Sequence, residues 1–100
     1  MNPRNAGLWT VTGICQHGLG RTEEARRSLL TAVTLDDGEA EAHHALGIQD
    51  LEADRFDDAA RSFRRALKAN PSMGDSRKRL VWTRFFQQMR EDTERAEGSK

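Results

Sequence analysis

Cysteine occurs once in the 100 residues, at Cys15, proline twice, at Pro3 and Pro71, and neither sign of charge is in excess. A lone cysteine leaves no partner for an internal disulfide and no ligand set for a cysteine-rich zinc site. Sixteen basic and sixteen acidic side chains cancel, so no overall field draws the chain to nucleic acid or to a membrane surface. Apolar runs are only a few residues long, which excludes a membrane-spanning helix. Met1 to Trp9 shows no basic stretch followed by an apolar one, so no secretory signal is expected and the expected location is cytoplasmic. Apolar residues are 36% of the chain and charged ones 32%. That composition is thin in core material but too patterned for disorder.

What is present is helical. Strand-type alternation is absent over any useful length, and apolar residues recur at spacings of three and four. Breakers at 18–21, 36–38, 53–55 and 70–72 divide the chain into helices expected near 5–18, 22–35, 39–52, 56–69 and 73–91. Thr22 is expected to cap the second helix, with Glu23 and Glu24 suited to its positive end. Ser72 with Asp75 three residues on resembles a capping box. Residues 93–100 lack an apolar face and are expected to be a disordered tail.

The sequence also repeats. Ala6 and Ala40, Gly13 and Gly47, Ala25 and Ala59, Leu29 and Phe63, and Ala32 and Ala66 are each separated by 34 residues. Small residues at Gly13, Gly47, Ala25 and Ala59 suit a close helix crossing, and Trp9, Leu29, Phe56 and Phe63 are suited to fill the space between helices. On these positions, together with Leu46 and Pro71, the chain resembles the tetratricopeptide repeat family, whose unit is a helix–turn–helix of that length. The resemblance implies an all-α fold, a right-handed α-α superhelix of about five helices. Repeats fall near 6–39 and 40–73, residues 74–91 form a capping helix, and the domain spans 1–92. His43 stands where the family has Trp, Gln16 and Asp50 where it has Tyr, and Asp37 where it has Pro. Pro3 lies two periods before Pro71, so the chain reads either as the end of a longer array or as a natural start.

Catalytic and cofactor chemistry finds no support. Gly18-Leu19-Gly20 lacks the third glycine and preceding strand of a phosphate loop. His43 and His44 project about 100° apart on a helix and cannot both face one ion, so no metal is expected. His43 is expected to pack and His44 to face the groove, while Cys15 is expected to be a buried, inert thiol. No enzymatic activity and no cofactor are expected.

The resemblance implies a concave groove lined by the first helix of each repeat. Carried over by register, its rows are Gly7, Thr10, Val11, Ile14, His17 and Gly18; Glu41, His44, Ala45, Ile48, Leu51 and Glu52; and Asp75, Lys78, Arg79, Trp82, Phe85 and Phe86. The expected partner contacts are Val11, Ile14, His44, Ile48, Leu51, Trp82, Phe85 and Phe86, with Lys78 and Arg79 steering an acidic flank. The implied function is a protein-interaction adaptor or scaffold that binds a hydrophobic peptide or amphipathic helix. Self-association as a homo-oligomer is the alternative, and a chaperone-like subunit of a bacterial secretion or assembly system fits by analogy. Charge is uneven along the chain: residues 1–54 carry four basic and nine acidic side chains, residues 55–100 twelve and seven. Nucleic acid is disfavoured as the partner of the basic half, because the aromatics are not interleaved as stacking platforms.

Overall fold

The computed structural model describes residues 4–98, which form α1 (Ala6–Gly18), α2 (Thr22–Leu35), α3 (Ala40–Glu52), α4 (Phe56–Ala69) and α5 (Gly74–Gly98). No strand occurs among the described residues. Helices α1 and α2 form one hairpin and α3 and α4 a second; α2 packs on α3, and α5 packs on α4. The array is elongated, 56 × 28 × 19 Å. Pro3 lies outside the described residues.

The 34-residue period is visible in the packing. A Cβ on Gly13 would lie 2.7 Å from Leu29 Cγ, and one on Gly47 would lie 2.6 Å from Phe63 Cε1. Both glycines therefore sit where the second helix of a hairpin crosses the first, and both crossing residues, Leu29 and Phe63, are fully buried. Between the hairpins, Leu29 and Ala32 of α2 meet Ala42 and Leu46 of α3, with Trp9, Val33 and Ala45 at the margin. Alanine at 25, 32, 42, 59, 60 and 66 keeps the helices close, which is how a chain thin in large apolar residues still closes a core.

Turns repeat as faithfully as crossings. Gly20 and Asp54, one period apart, both have positive φ, +80° and 59°. Each turn is closed by a bond back into the first helix, Arg21 N to Gln16 O at 2.9 Å and Arg55 N to Asp50 O at 2.8 Å. Beyond α2 and α4, the side chains of Asp36 and Asn70 accept from Gly38 N at 2.9 Å and Ser72 N at 3.1 Å, making matching turns.

Several local expectations are corrected. Thr22 is already helical; the residue before it, Arg21, caps α2 without a side-chain bond. Ser72 does not cap α5, because the helix starts at Gly74 and its first backbone bond runs from Arg77 N to Met73 O at 3.2 Å, which puts the cap position at Met73. Cys15 is exposed rather than buried, since it lies on the side of α1 turned away from α2. The segment expected to be disordered from Thr93 is helical to Gly98. The lack of an apolar face leaves it exposed, but it does not unwind it: Thr93 Oγ1 donates to Met89 O at 3.0 Å and Arg95 reaches Asp92 at 3.6 Å.

The polar substitutions inside the repeat find partners. His43 is buried and its Nε2 donates to Asp37 O at 2.9 Å, which fixes the proton on that nitrogen. Ser28 Oγ donates to Gln16 Oε1 at 2.6 Å. Asp50, one period after Gln16, is buried and accepts from Arg26 and Arg55.

Candidate functional site

Helices α1, α3 and α5 are the first helices of successive units, and cavities open where α3 meets each of the other two. Between α3 and α5 lies a cavity of about 470 Å³, lined by His44, Leu51, Asp75, Lys78, Arg79, Trp82 and Phe86. Between α1 and α3 lies one of about 300 Å³, lined by Ile14, His17, Glu41, His44, Ala45, Ile48 and Met73. His44 borders both, so the two form neighbouring parts of one concave surface.

Packing sets the positions of these side chains. Phe86 is half-buried and stacks on Phe56 of α4, with ring centroids 5.6 Å apart. Trp82 lies 6.4 Å from Phe86 and meets Phe85 edge-on at 6.0 Å. Trp82 remains 58% exposed and Phe85 53%, so the cluster is anchored at one end and open at the other. His44 shares a 2.7 Å hydrogen bond, through Nδ1, with Oγ of the buried Ser76 and packs on the Phe63 ring. Burial, and next the field of Arg79, hold the His44 imidazole below its ordinary 6.5, with Asp75 and Glu41 opposing. Neutral imidazole thus separates a mixed aromatic and cationic cavity from an apolar one.

Of the residues expected from register, the structure brings His44, Leu51, Lys78, Arg79, Trp82 and Phe86 to the first cavity and Ile14, His44 and Ile48 to the second. Val11 and Phe85 line neither; Val11 is 56% exposed on the outward side of α1, and Phe85 stands beside Trp82 on the outward side of α5. Met73, in the turn before α5, lines the apolar cavity and was not in any expected row. Its signal was faint: one apolar side chain in a polar turn. Lys78 and Arg79 make no salt bridge among the described residues, which leaves both available at the cavity mouth. At the far end of α3, His17 Nε2 lies 2.9 Å from Glu52 and ties α1 to α3.

No group of three or more His, Cys, Asp or Glu side chains among the described residues is placed to hold a metal ion. No helix among them is long and apolar enough to cross a membrane. No curated protein matches the sequence significantly. Residues 40–73, the span of α3, α4 and the turn that follows, match the family model of the tetratricopeptide repeat. With that match over one repeat, and with glycine crossings, turns and helices all repeating at 34 residues, the fold is a tetratricopeptide-like all-α helical repeat.

Proposed function

We propose that the chain is an adaptor that binds an amphipathic helix or hydrophobic peptide with an acidic flank across the α1–α3–α5 surface. The observation that supports this most directly is the α3–α5 cavity, where Trp82 and Phe86 lie beside Lys78 and Arg79. A half-buried aromatic floor next to unpaired cations suits a ligand that is apolar on one side and acidic at its edge. The neighbouring cavity of Ile14, Ala45, Ile48 and Met73 offers a second apolar seat on the same surface. A helix presenting apolar side chains at successive turns would reach both.

The test uses two designed helical peptides with the same leucine face, one with a glutamate flank and one with a lysine flank. Titration into the protein is followed by calorimetry and by tryptophan emission. Binding of the glutamate peptide with a blue shift that disappears in Trp82→Ala supports the groove. Equal binding of both peptides removes the role given to Lys78 and Arg79, and an unmoved Trp82 signal removes the groove itself.

A further inference from the structure

We propose that a small cavity at the ends of α1 and α3 binds a primary ammonium group, supplied by a lysine of the peptide held on the α1–α3–α5 surface. The proposal rests on that surface being the peptide site. The cavity, of about 230 Å³, is lined by His17, Thr22, Gln49, Glu52 and Ala53. His17 also lines the apolar cavity between α1 and α3, so the two adjoin.

The polar atoms of its walls are incompletely bonded. Gln49 is 3% exposed, and its Nε2 donates to Thr22 O at 3.1 Å, which leaves Oε1 as the free end. That oxygen is buried and has no hydrogen-bond partner. His17 Nε2 lies 2.9 Å from Glu52 Oε1, so the proton sits there and Nδ1 of the neutral ring keeps a lone pair. Nδ1 is likewise buried without a partner. Among the described residues no other buried side-chain nitrogen or oxygen is left this way, and both of these belong to walls of one cavity. Buried acceptors left unpaired are costly, and such atoms normally meet a donor.

Chemistry and charge select the donor. The walls offer Gln49 Oε1, His17 Nδ1 and the Glu52 carboxylate, all acceptors, and an ammonium brings three N–H donors with no lone pair to set against them. Arg26 and Arg55 are held by Asp50, which leaves Glu23, Glu24, Glu52 and Asp54 against Arg21 in the surrounding turns. Helices α1 and α3 both end beside the cavity, so two negative dipole ends face the single positive end of α2. The space is several times the roughly 30 Å³ that one water takes up. The surface therefore reads direction: acid meets Lys78 and Arg79 on α5, and lysine meets the ends of α1 and α3.

Two measurements on the full chain, at about pH 8 where imidazole is neutral, test this. In the first, n-butylammonium is titrated into isotope-labelled protein while NMR follows the Gln49 side-chain amide and the His17 ring, with tetramethylammonium as a cation lacking N–H. Saturable shifts with butylammonium alone are expected, weakened at least tenfold in Gln49→Met as read through His17. Circular dichroism checks the fold, and Glu52→Gln, whose side chain is 60% exposed, replaces that variant if helicity falls. No shift, or equal shifts with both cations, leaves only an ordered water on Oε1 and overturns the proposal. In the second, the glutamate-flanked peptide carries lysine or norleucine on the side away from its glutamates. The lysine peptide should bind at least tenfold more tightly, and equal binding overturns lysine as the source. If the norleucine peptide does not bind at all, the groove reading has failed, and with it the peptide as source, while butylammonium still decides the cavity.

Discussion

Arg26 on α2 reaches across the hairpin boundary to Asp50 on α3, with Nη1 3.0 Å from Oδ1. The same oxygen accepts from Arg55 Nε at 3.0 Å, and the Asp50 side chain is only 2% exposed while both guanidinium groups stay partly in water. The carboxylate thus links the two hairpins at a point where the core on either side is mostly alanine. Asp50→Ala is expected to destabilise the fold by about 2–3 kcal/mol, below the full cost of breaking a buried pair because the arginines remain solvated. Urea unfolding of Asp50→Ala beside Arg26→Ala measures it, and near-additive losses in the double variant would count against a direct link.

Gly47 and Phe63 make a sharper test of register. A Cβ at 47 would come within 2.6 Å of a fully buried ring that has no room to retreat. Gly47→Ala is expected to cost roughly 1–3 kcal/mol despite alanine's better helix propensity. Gly47→Leu should not fold. Gly18→Ala is the control, because nothing lies within 4 Å of a Cβ there. A stable Gly47→Leu protein, judged by a cooperative melt, would refute the crossing.

That crossing was legible in the sequence because a close approach between helices tolerates only the smallest residues, and two glycines 34 apart announce two equivalent approaches. The turns at Gly20 and Asp54 were legible for a similar reason. What lay beyond reach was pairing at a distance. Nothing local ties Asp50 to Arg26, 24 residues away. An apolar stripe through Leu8, Val11 and Cys15 signals a face and says nothing of whether a helix covers it, so Cys15 was expected inside and stands outside. Register placed Phe85 and Phe86 in one row, yet adjacent residues diverge by about 100° on a helix. Only Phe86 turns far enough to stack on Phe56 and line the cavity.

Asp54 adopts φ 59° where the first repeat has Gly20 at +80°. A left-handed backbone is strained for a residue with a Cβ, and the aspartate side chain is exposed. Asp54→Gly should raise stability by about 0.5–1 kcal/mol, the relief of strain outweighing the added chain entropy. The reciprocal Gly20→Ala should lower it by roughly 1 kcal/mol. Chemical denaturation reads both, and a loss of stability in Asp54→Gly would show that the aspartate does more than make the turn.

His44 gives the fold a pH dependence of known sign. Its folded value lies below the ordinary 6.5, chiefly through burial and then through Arg79, with Asp75 and Glu41 pulling upward. The unfolded chain therefore binds the proton more readily than the folded one. Stability from this group is fully present above about 6.5 and falls as pH drops from there toward the lower folded value. His44→Gln should flatten the unfolding free energy across that window while retaining a hydrogen bond to Ser76. A wild-type profile that rises on acidification from pH 7 to 6 would contradict the burial of this ring.

Trp82 and Phe86 share the groove but differ in anchorage, and this separates binding from folding. Trp82 is 58% exposed, whereas Phe86 is half-buried against Phe56. Trp82→Ala should leave stability within about 0.5 kcal/mol, as surface substitutions do. It should still weaken an acid-flanked helical peptide at least tenfold, a loss of about 1.4 kcal/mol in binding. Phe86→Ala should cost about 2 kcal/mol in folding, because it removes a ring that packs α5 on α4. Charge reversal at Lys78 and Arg79 should slow peptide association and leave the melting temperature nearly unchanged. If Trp82→Ala instead unfolds the domain, the ring is holding α5 in place and the surface between α3 and α5 is structural.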